Sequence, residues 1–131
     1  NAKIIHVKRD RMATCFSIFK SYFSSNGNRY AYDFEDIKAY YNLYFELMNF
    51  WKLNFPGKIY ELDYEALTEM PEKEIRKLIN FTGLKWEDSC LNFHQNVRPV
   101  MTLSKTQVRE KIYKGSSQGW KNYKQYLNDC F

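Results

Sequence analysis

The sequence predicts an α/β fold with few parallel strands and predominant helices. Two short segments, residues 3–8 and 58–62, have the apolar or alternating pattern of β-strands. Helical periodicity marks the segments between and after them. The resulting order of strand, helix, helix, strand and helix is typical of a layer in which the strands run parallel. At 131 residues the chain has the length of about one domain, and it contains no internal repeat.

The first strand is predicted to be buried, because residues 4–7 are rich in isoleucine and valine, and it is followed by Arg9. From Asp10 to about Phe23, apolar residues recur at helical spacing. The first backbone N–H groups of a helix have no intrahelical acceptor, and the helix dipole favours negative charge there. The guanidinium of Arg9 adds donors suited to a phosphate, and Ser17 supplies a hydroxyl eight positions later. This junction predicts an anion site.

The middle of the chain is predicted to be a loop and then a long helix. Residues 24–28 have the composition of a loop, and a helix is expected over residues 34–54 with Asp33 as its cap. We interpret the aromatic residues of this helix as core and helix-packing residues rather than a stacking platform. They are Tyr40, Tyr41, Tyr44, Phe45, Phe50 and Trp51.

The second strand is followed by further helical segments. Residues 63–67 are expected to form a helical turn, and a helix should begin at Pro71 and end before Gly83. A short helix is predicted over residues 86–93 and a closing helix over residues 118–127, with mainly irregular structure between them.

The composition indicates the class of ligand and the cellular compartment. The net charge of +5 suits an anionic ligand such as a nucleotide, a nucleic acid or an acidic peptide, although a lysine-rich surface would explain it equally well. Three cysteines without metal-ligand spacing argue against a disulfide framework or a zinc site. Neither a signal peptide nor an apolar run of membrane-spanning length is present, so we expect a cytoplasmic protein without a membrane partner.

Four segments resemble the sulfotransferase superfamily, whose members use 3′-phosphoadenosine 5′-phosphosulfate (PAPS). Arg9 and Ser17, after an apolar strand, are similar to its 3′-phosphate motif. Residues 59–67, followed by Pro71 and the helix up to Gly83, resemble a shared strand–tyrosine–acid–proline stretch. The resemblance places Tyr64 beside the adenine, whereas the residues alone favour a packing role at the strand–helix corner.

The third segment, residues 113–123, resembles the "arginine–lysine–glycine … tryptophan–lysine" stretch that folds over PAPS. Lys114 and Gly115 match the lysine and the glycine, while Tyr113 stands where the family has arginine, and Arg109 is a candidate to compensate. The fourth segment, residues 86–105, resembles the linker of bacterial and tyrosylprotein-type sulfotransferase domains, and its Ser104 is a further candidate for a ligand hydroxyl. The resemblance thus implies that Arg9, Ser17, Lys114 and Gly115 hold the 3′-phosphate.

The resemblance implies a partial P-loop-like, three-layer sulfotransferase fold, with residues 1–131 as the C-terminal portion of one domain. The glycine-rich 5′-phosphosulfate loop and the catalytic base of the family have no counterpart here. We therefore expect the isolated chain to contain no catalytic residue and no metal site, and to be inactive. It should bind adenosine 3′,5′-bisphosphate weakly or not at all.

Two other functions are compatible with the sequence. One alternative is a non-catalytic interaction module, and a less favoured one is a basic nucleic-acid-binding domain, since the basic residues are scattered along the chain. The partners expected are the nucleotide co-substrate and an acceptor that the sequence does not identify. Homo-oligomerisation is also possible through an exposed edge of the first strand.

Overall fold

The computed structural model describes residues 2–23, 26–95 and 109–127. Two parallel strands, β1 (Ile4–Lys8) and β2 (Ile59–Asp63), form its sheet, with Ile4 opposite Ile59 and Lys8 opposite Asp63. Helices make up most of the remaining structure. The predicted α/β class, with few parallel strands and predominant helices, is confirmed.

Five α-helices and four 3₁₀ segments accompany the sheet in the described residues. The α-helices are α1 (Arg11–Phe19), α2 (Phe34–Asn54), α3 (Tyr64–Glu69), α4 (Pro71–Thr82) and α5 (Lys124–Leu127). The 3₁₀ segments span Asn26–Tyr32, Asp88–Leu91, Phe93–Gln95 and Ser116–Tyr123.

Local capping explains where the helices begin and end. The Asp10 carboxylate accepts a hydrogen bond from the Ala13 backbone N–H at 2.7 Å and so begins α1. Asp33 caps α2 as predicted. Its side-chain carboxylate accepts hydrogen bonds from the backbone N–H groups two and three residues further along the chain. Gly83 ends α4 with a left-handed φ of 79°, which glycine adopts without steric cost.

Several element boundaries differ from the prediction, and the helix expected over residues 86–93 is two 3₁₀ segments. α1 ends at Phe19 rather than near Phe23, because the Ser21 N–H bonds to the carbonyl three residues earlier and tightens the last turn. The loop expected over residues 24–28 is a 3₁₀ helix from Asn26 onward, while residues 24 and 25 lie outside the described part. The closing helix is 3₁₀ up to Tyr123 and α-helical only over its last four described residues.

The buried core of the described residues is small. It centres on Cys15, Ile37 and Leu62, which are at most 5% exposed. The prediction of a buried first strand is wrong, since Ile4 and Val7 are each more than half exposed. In the described residues β1 pairs with β2 alone. A sheet of only two strands buries little of the surface of each strand.

The core interpretation of the α2 aromatic residues is also largely wrong. Tyr40, Phe45, Phe50 and Trp51 are exposed, while Tyr41 and Tyr44 are half-buried. A helix of 21 residues is about 30 Å long, whereas strands of five residues are about 17 Å long. Much of the C-terminal half of α2 therefore extends beyond the elements that would bury it.

Membrane-spanning helices and metal sites are both absent from the part of the chain that the structure describes. No helix there is both long and apolar enough to cross a bilayer. Within the same residues, histidine, cysteine and acidic side chains do not converge into a group that could hold a metal ion.

Candidate functional site

The ends of the two strands and the C-terminal segment meet at one edge of the sheet. Arg9 follows β1, and Tyr64 begins α3 directly after β2. Because β1 and β2 are parallel neighbours, their carboxyl ends lie at the same edge, where open α/β sheets bind ligands. The 3₁₀ helix that starts at Ser116 packs against α1, so its first residues lie near the same edge.

The guanidinium of Arg9 is fixed from three sides. Its Nε donates to Ser117 Oγ at 3.0 Å, and its Nη2 donates to the Ser116 carbonyl oxygen at 2.8 Å. Its Cζ lies 5.0 Å from the centroid of the Tyr64 ring, a cation–π distance. Among the described residues Arg9 forms no ion pair with a carboxylate. The cluster therefore holds a positioned positive charge that no described carboxylate neutralises by direct contact.

Hydroxyl and carboxylate groups connect the remainder of the cluster. The hydroxyls of Tyr64 and Ser116 lie 2.8 Å apart. Ser117 Oγ donates to Glu65 Oε1, which also accepts a bond of 3.3 Å from the Asp10 backbone N–H. Since the Ser117 hydroxyl accepts from Arg9 and donates to Glu65, it fixes the spacing between one cation and one anion. We call this group, formed by Arg9, Tyr64, Glu65, Ser116 and Ser117, the Arg9 cluster.

The structure brings some of the predicted site residues together and leaves others outside. Arg9 and Tyr64 are in direct contact within the Arg9 cluster. Gly115 immediately precedes its two serines and has a φ of 88°, and the exposed Lys114 stands next to it. Ser17 is half-buried on α1 and takes no part in the hydrogen bonds of the cluster.

Two further candidates are placed less closely. Arg109 is exposed, and it has an interaction within the protein. Ser104 lies outside the described residues.

Sequence reasoning missed Glu65, Ser116 and Ser117 as members of the cluster. The signal available was the pair of serines directly after a glycine, since small hydroxyl residues at a left-handed turn commonly donate to or accept from nearby groups. The partners of these hydroxyls lie far away in sequence: Ser116 is 52 residues from Tyr64, and Ser117 is 108 residues from Arg9. Local sequence patterns do not encode such contacts.

A second polar network joins β1, β2 and α2. His6 Nε2 lies 2.5 Å from the Tyr44 hydroxyl, while its Nδ1 is 3.5 Å from Glu61 Oε1 without forming a hydrogen bond. A hydrogen bond from Lys52 holds the pKa of Glu61 below its ordinary value, so this carboxylate is ionised at neutral pH. Burial raises the pKa of Tyr44, which keeps its phenol protonated. The His6 side chain is 12% exposed, and its Nδ1 has no hydrogen-bond partner among the described residues.

Comparison with known proteins identifies the family of this chain. The model of the sulfotransferase family matches residues 1–88, a range that includes Arg9, Ser17 and Tyr64. An uncharacterized protein of Aquifex aeolicus (strain VF5) is 41% identical over 129 residues, which are 97% of this chain and 17% of that protein. A putative protein-tyrosine sulfotransferase of Caenorhabditis briggsae is 26% identical over 136 residues, covering 100% of this chain and 46% of that protein.

The chain spans less than half the length of either of these curated relatives. The family match nevertheless covers more than half of the chain, and it includes both strands of the sheet and the helix that follows each of them. The chain belongs to the sulfotransferase family.

Proposed function

We propose that this chain forms the 3′-phosphate and adenine side of a PAPS site, in a protein that transfers a sulfuryl group to a hydroxyl or amine. The observation that carries the proposal is the Arg9 guanidinium, which is held in place by Ser116 and Ser117 and makes no ion pair with the described carboxylates. A fixed guanidinium loses little entropy on binding a phosphate, and its planar fork matches two phosphate oxygens.

The donor set fits the 3′-phosphate of the nucleotide. Arg9 has five N–H bonds, of which Ser116 and Ser117 accept two, so three remain for a ligand. Lys114 would add a second positive charge, and Gly115 would let backbone approach the phosphate closely. Tyr64, at the carboxyl edge of the sheet, would lie beside the purine. Ser17 would approach the phosphate from α1.

The role of these residues is to bind and orient the nucleotide. PAPS supplies the activated sulfuryl group, and transfer in line depends on positioning and on stabilising charge in the transition state. We propose that the groups surrounding the sulfonate, including a base, come from polypeptide outside these residues. The isolated chain should accordingly show no turnover of PAPS, and measurable turnover would contradict this part of the proposal.

Nucleotide binding is tested by NMR titration of the chain with adenosine 3′,5′-bisphosphate, with adenosine 5′-monophosphate as the comparison ligand. We expect weak binding that requires the 3′-phosphate. Arg9→Ala should weaken it about tenfold to a hundredfold, because charge-assisted hydrogen bonds contribute about 1.5–3 kcal/mol each. The matched control is Arg29→Ala, which removes an exposed arginine outside the cluster. Equal responses to the two nucleotides, or equal affinity in the Arg9 and Arg29 variants, would refute the assignment.

A second candidate function, protein binding, is favoured by one observation on α2. Leu43, Leu47 and Phe50 recur at helical spacing and are all more than half exposed. An amphipathic helix with such a stripe is suited to an apolar groove on a partner. Leu47→Lys should abolish protein binding of this kind and leave the nucleotide titration unchanged, so the two functions are separable.

A further inference from the structure

α2 carries a row of exposed side chains that the described elements leave largely uncovered. The row follows one side of the helix at intervals of three and four residues, and its four apolar members are each more than half exposed. Both of its polar end residues are exposed as well. We call this row the α2 stripe, and its members in chain order are Asp36, Tyr40, Leu43, Leu47, Phe50 and Asn54.

The chemistry of the α2 stripe is the same when it is read from either end. A polar residue lies at each end, an aromatic residue comes next on each side, and Leu43 and Leu47 form the centre. The intervals between members alternate between four and three residues and are also the same from either end. A two-fold interface uses the same patch of both copies, so the patch must be complementary to itself. The α2 stripe meets this requirement when two copies of the helix run antiparallel.

Antiparallel pairing about the midpoint of the α2 stripe brings similar side chains together. Leu43 of one copy lies opposite Leu47 of the other, and Tyr40 lies opposite Phe50, in the alternating layers of knobs-into-holes packing. At each end Asp36 lies opposite Asn54. The Asn54 amide donates to the Phe50 carbonyl oxygen at 2.8 Å and keeps a second N–H for a carboxylate.

The charge of Asp36 disfavours the parallel arrangement. In a parallel pair, Asp36 of each copy would face the same carboxylate of the other copy, and like charges in contact repel. In the antiparallel pair the carboxylate faces an amide instead. Charge therefore selects the direction in which two copies of α2 lie against each other.

The exposed surface of the α2 stripe is large enough for a weak dimer. A half-exposed leucine or aromatic side chain leaves about 100 Å² for a partner, so the four apolar members offer about 400 Å² per copy. The exposed Ala39 and Trp51 flank the stripe and raise the total for two copies to about 1,000 Å². Specific interfaces begin near this area, so we expect dimerisation that depends on the chain concentration.

We propose that the α2 stripe binds the α2 stripe of a second copy of this chain, in an antiparallel contact between the two helices. The proposal names the occupant of the surface that supports the protein-binding candidate above. It does not depend on the nucleotide site.

Sedimentation equilibrium of the chain between about 5 and 500 µM tests the association. We expect a monomer–dimer equilibrium with a dissociation constant of about 10–100 µM. Leu47→Lys places a charge at the centre of the contact in both copies and should raise this constant at least about tenfold. The matched control is Leu84→Lys, at a leucine that is 67% exposed beyond the end of α4, and it should change nothing. A monomeric wild-type chain, or equal association of the two variants, would overturn the proposal.

Disulfide cross-linking tests the antiparallel direction. Leu43→Cys and Leu47→Cys chains, each with Cys90 and Cys130 replaced by serine, are oxidised alone and as an equimolar mixture. The mixture should form a mixed disulfide. Each variant alone should not, because its two substituted positions would be about 6 Å apart along the helix axis and about 8–10 Å across it, beyond the reach of a disulfide. Cross-linking of either variant alone as readily as the mixture would overturn the antiparallel contact.

Two further outcomes separate this proposal from others. Association that is lost in Ile5→Lys and kept in Leu47→Lys would assign the dimer to the exposed edge of β1 and overturn the α2 contact. Leu47 lies outside the Arg9 cluster, so Leu47→Lys should respond to adenosine 3′,5′-bisphosphate as the wild-type chain does. A monomeric chain that discriminates the 3′-phosphate would refute the dimer alone, and a dimeric chain that does not would refute the nucleotide site alone.

Discussion

Replacement of Ser117 by alanine removes the hydroxyl that joins Arg9 to Glu65. Ser117 is 5% exposed, and its Oγ accepts a 3.0 Å bond from Arg9 Nε while donating to Glu65 Oε1. A hydrogen bond to a charged group contributes about 1.5–3 kcal/mol. Two such bonds are lost, but Arg9 and Glu65 are only half-buried, so water replaces part of each. We expect Ser117→Ala to lower the free energy of unfolding by about 2–3 kcal/mol.

Urea unfolding followed by circular dichroism measures this change, provided that the m-value stays constant. Ser89→Ala is the matched control, since the exposed Ser89 hydroxyl also bonds a carboxylate, that of Glu87, at 3.3 Å. Its loss should cost no more than about 0.5 kcal/mol. If the two variants were destabilised equally, the Ser117 hydroxyl would not hold the Arg9 cluster together, and the reasoning would fail.

Three further predictions concern the rest of the fold. Burial raises the pKa of Cys15 to about 11, so Cys15 should resist iodoacetamide at pH 8 while the half-buried Cys90 reacts, as site-resolved mass spectrometry would show. Because the pKa of Cys15 in the folded state lies above its ordinary value of 9.0, this thiol contributes stability below pH 9 that is lost as the pH rises towards 11. Gly83→Ala should cost about 1 kcal/mol in a thermal or urea melt because its φ is 79°, whereas Gly27→Ala, without positive φ or close neighbours, should cost less. If exposed β1 edges pair in solution, Ile5→Lys should reduce the association seen by sedimentation equilibrium, and a monomeric wild-type chain would reject that pairing.

Local sequence patterns predicted the ends of helices well where one position strongly prefers a few residue types. Asp33 and Gly83 mark the ends of α2 and α4 because a capping carboxylate and a left-handed φ have narrow residue preferences. The parallel pairing of β1 and β2 followed from the helical segments between them. The helix ends depend on residues close in sequence, and the parallel direction depends on the helical connection between the strands, so sequence patterns contain both.

Burial was harder to predict because it depends on what covers a surface. Val7 and Phe50 have the apolar character of core residues, yet both are exposed in the part of the chain that the structure describes. The same limit applies to the site. Arg9 was found from its place after a strand, but its partners Ser116 and Ser117 come from a segment more than 100 residues later, whose approach depends on the packing of α1.

The orientation of Arg9 gives a further test of the proposed nucleotide site. Two of its five N–H bonds are accepted within the Arg9 cluster. Loss of the Ser117 hydroxyl frees the guanidinium to rotate, which should weaken bidentate binding of the 3′-phosphate because such binding needs a fixed guanidinium plane. Ser117→Ala should therefore weaken the NMR response to adenosine 3′,5′-bisphosphate and leave the response to adenosine 5′-monophosphate unchanged. Unchanged responses to both nucleotides would show that the nucleotide site does not depend on the orientation of Arg9.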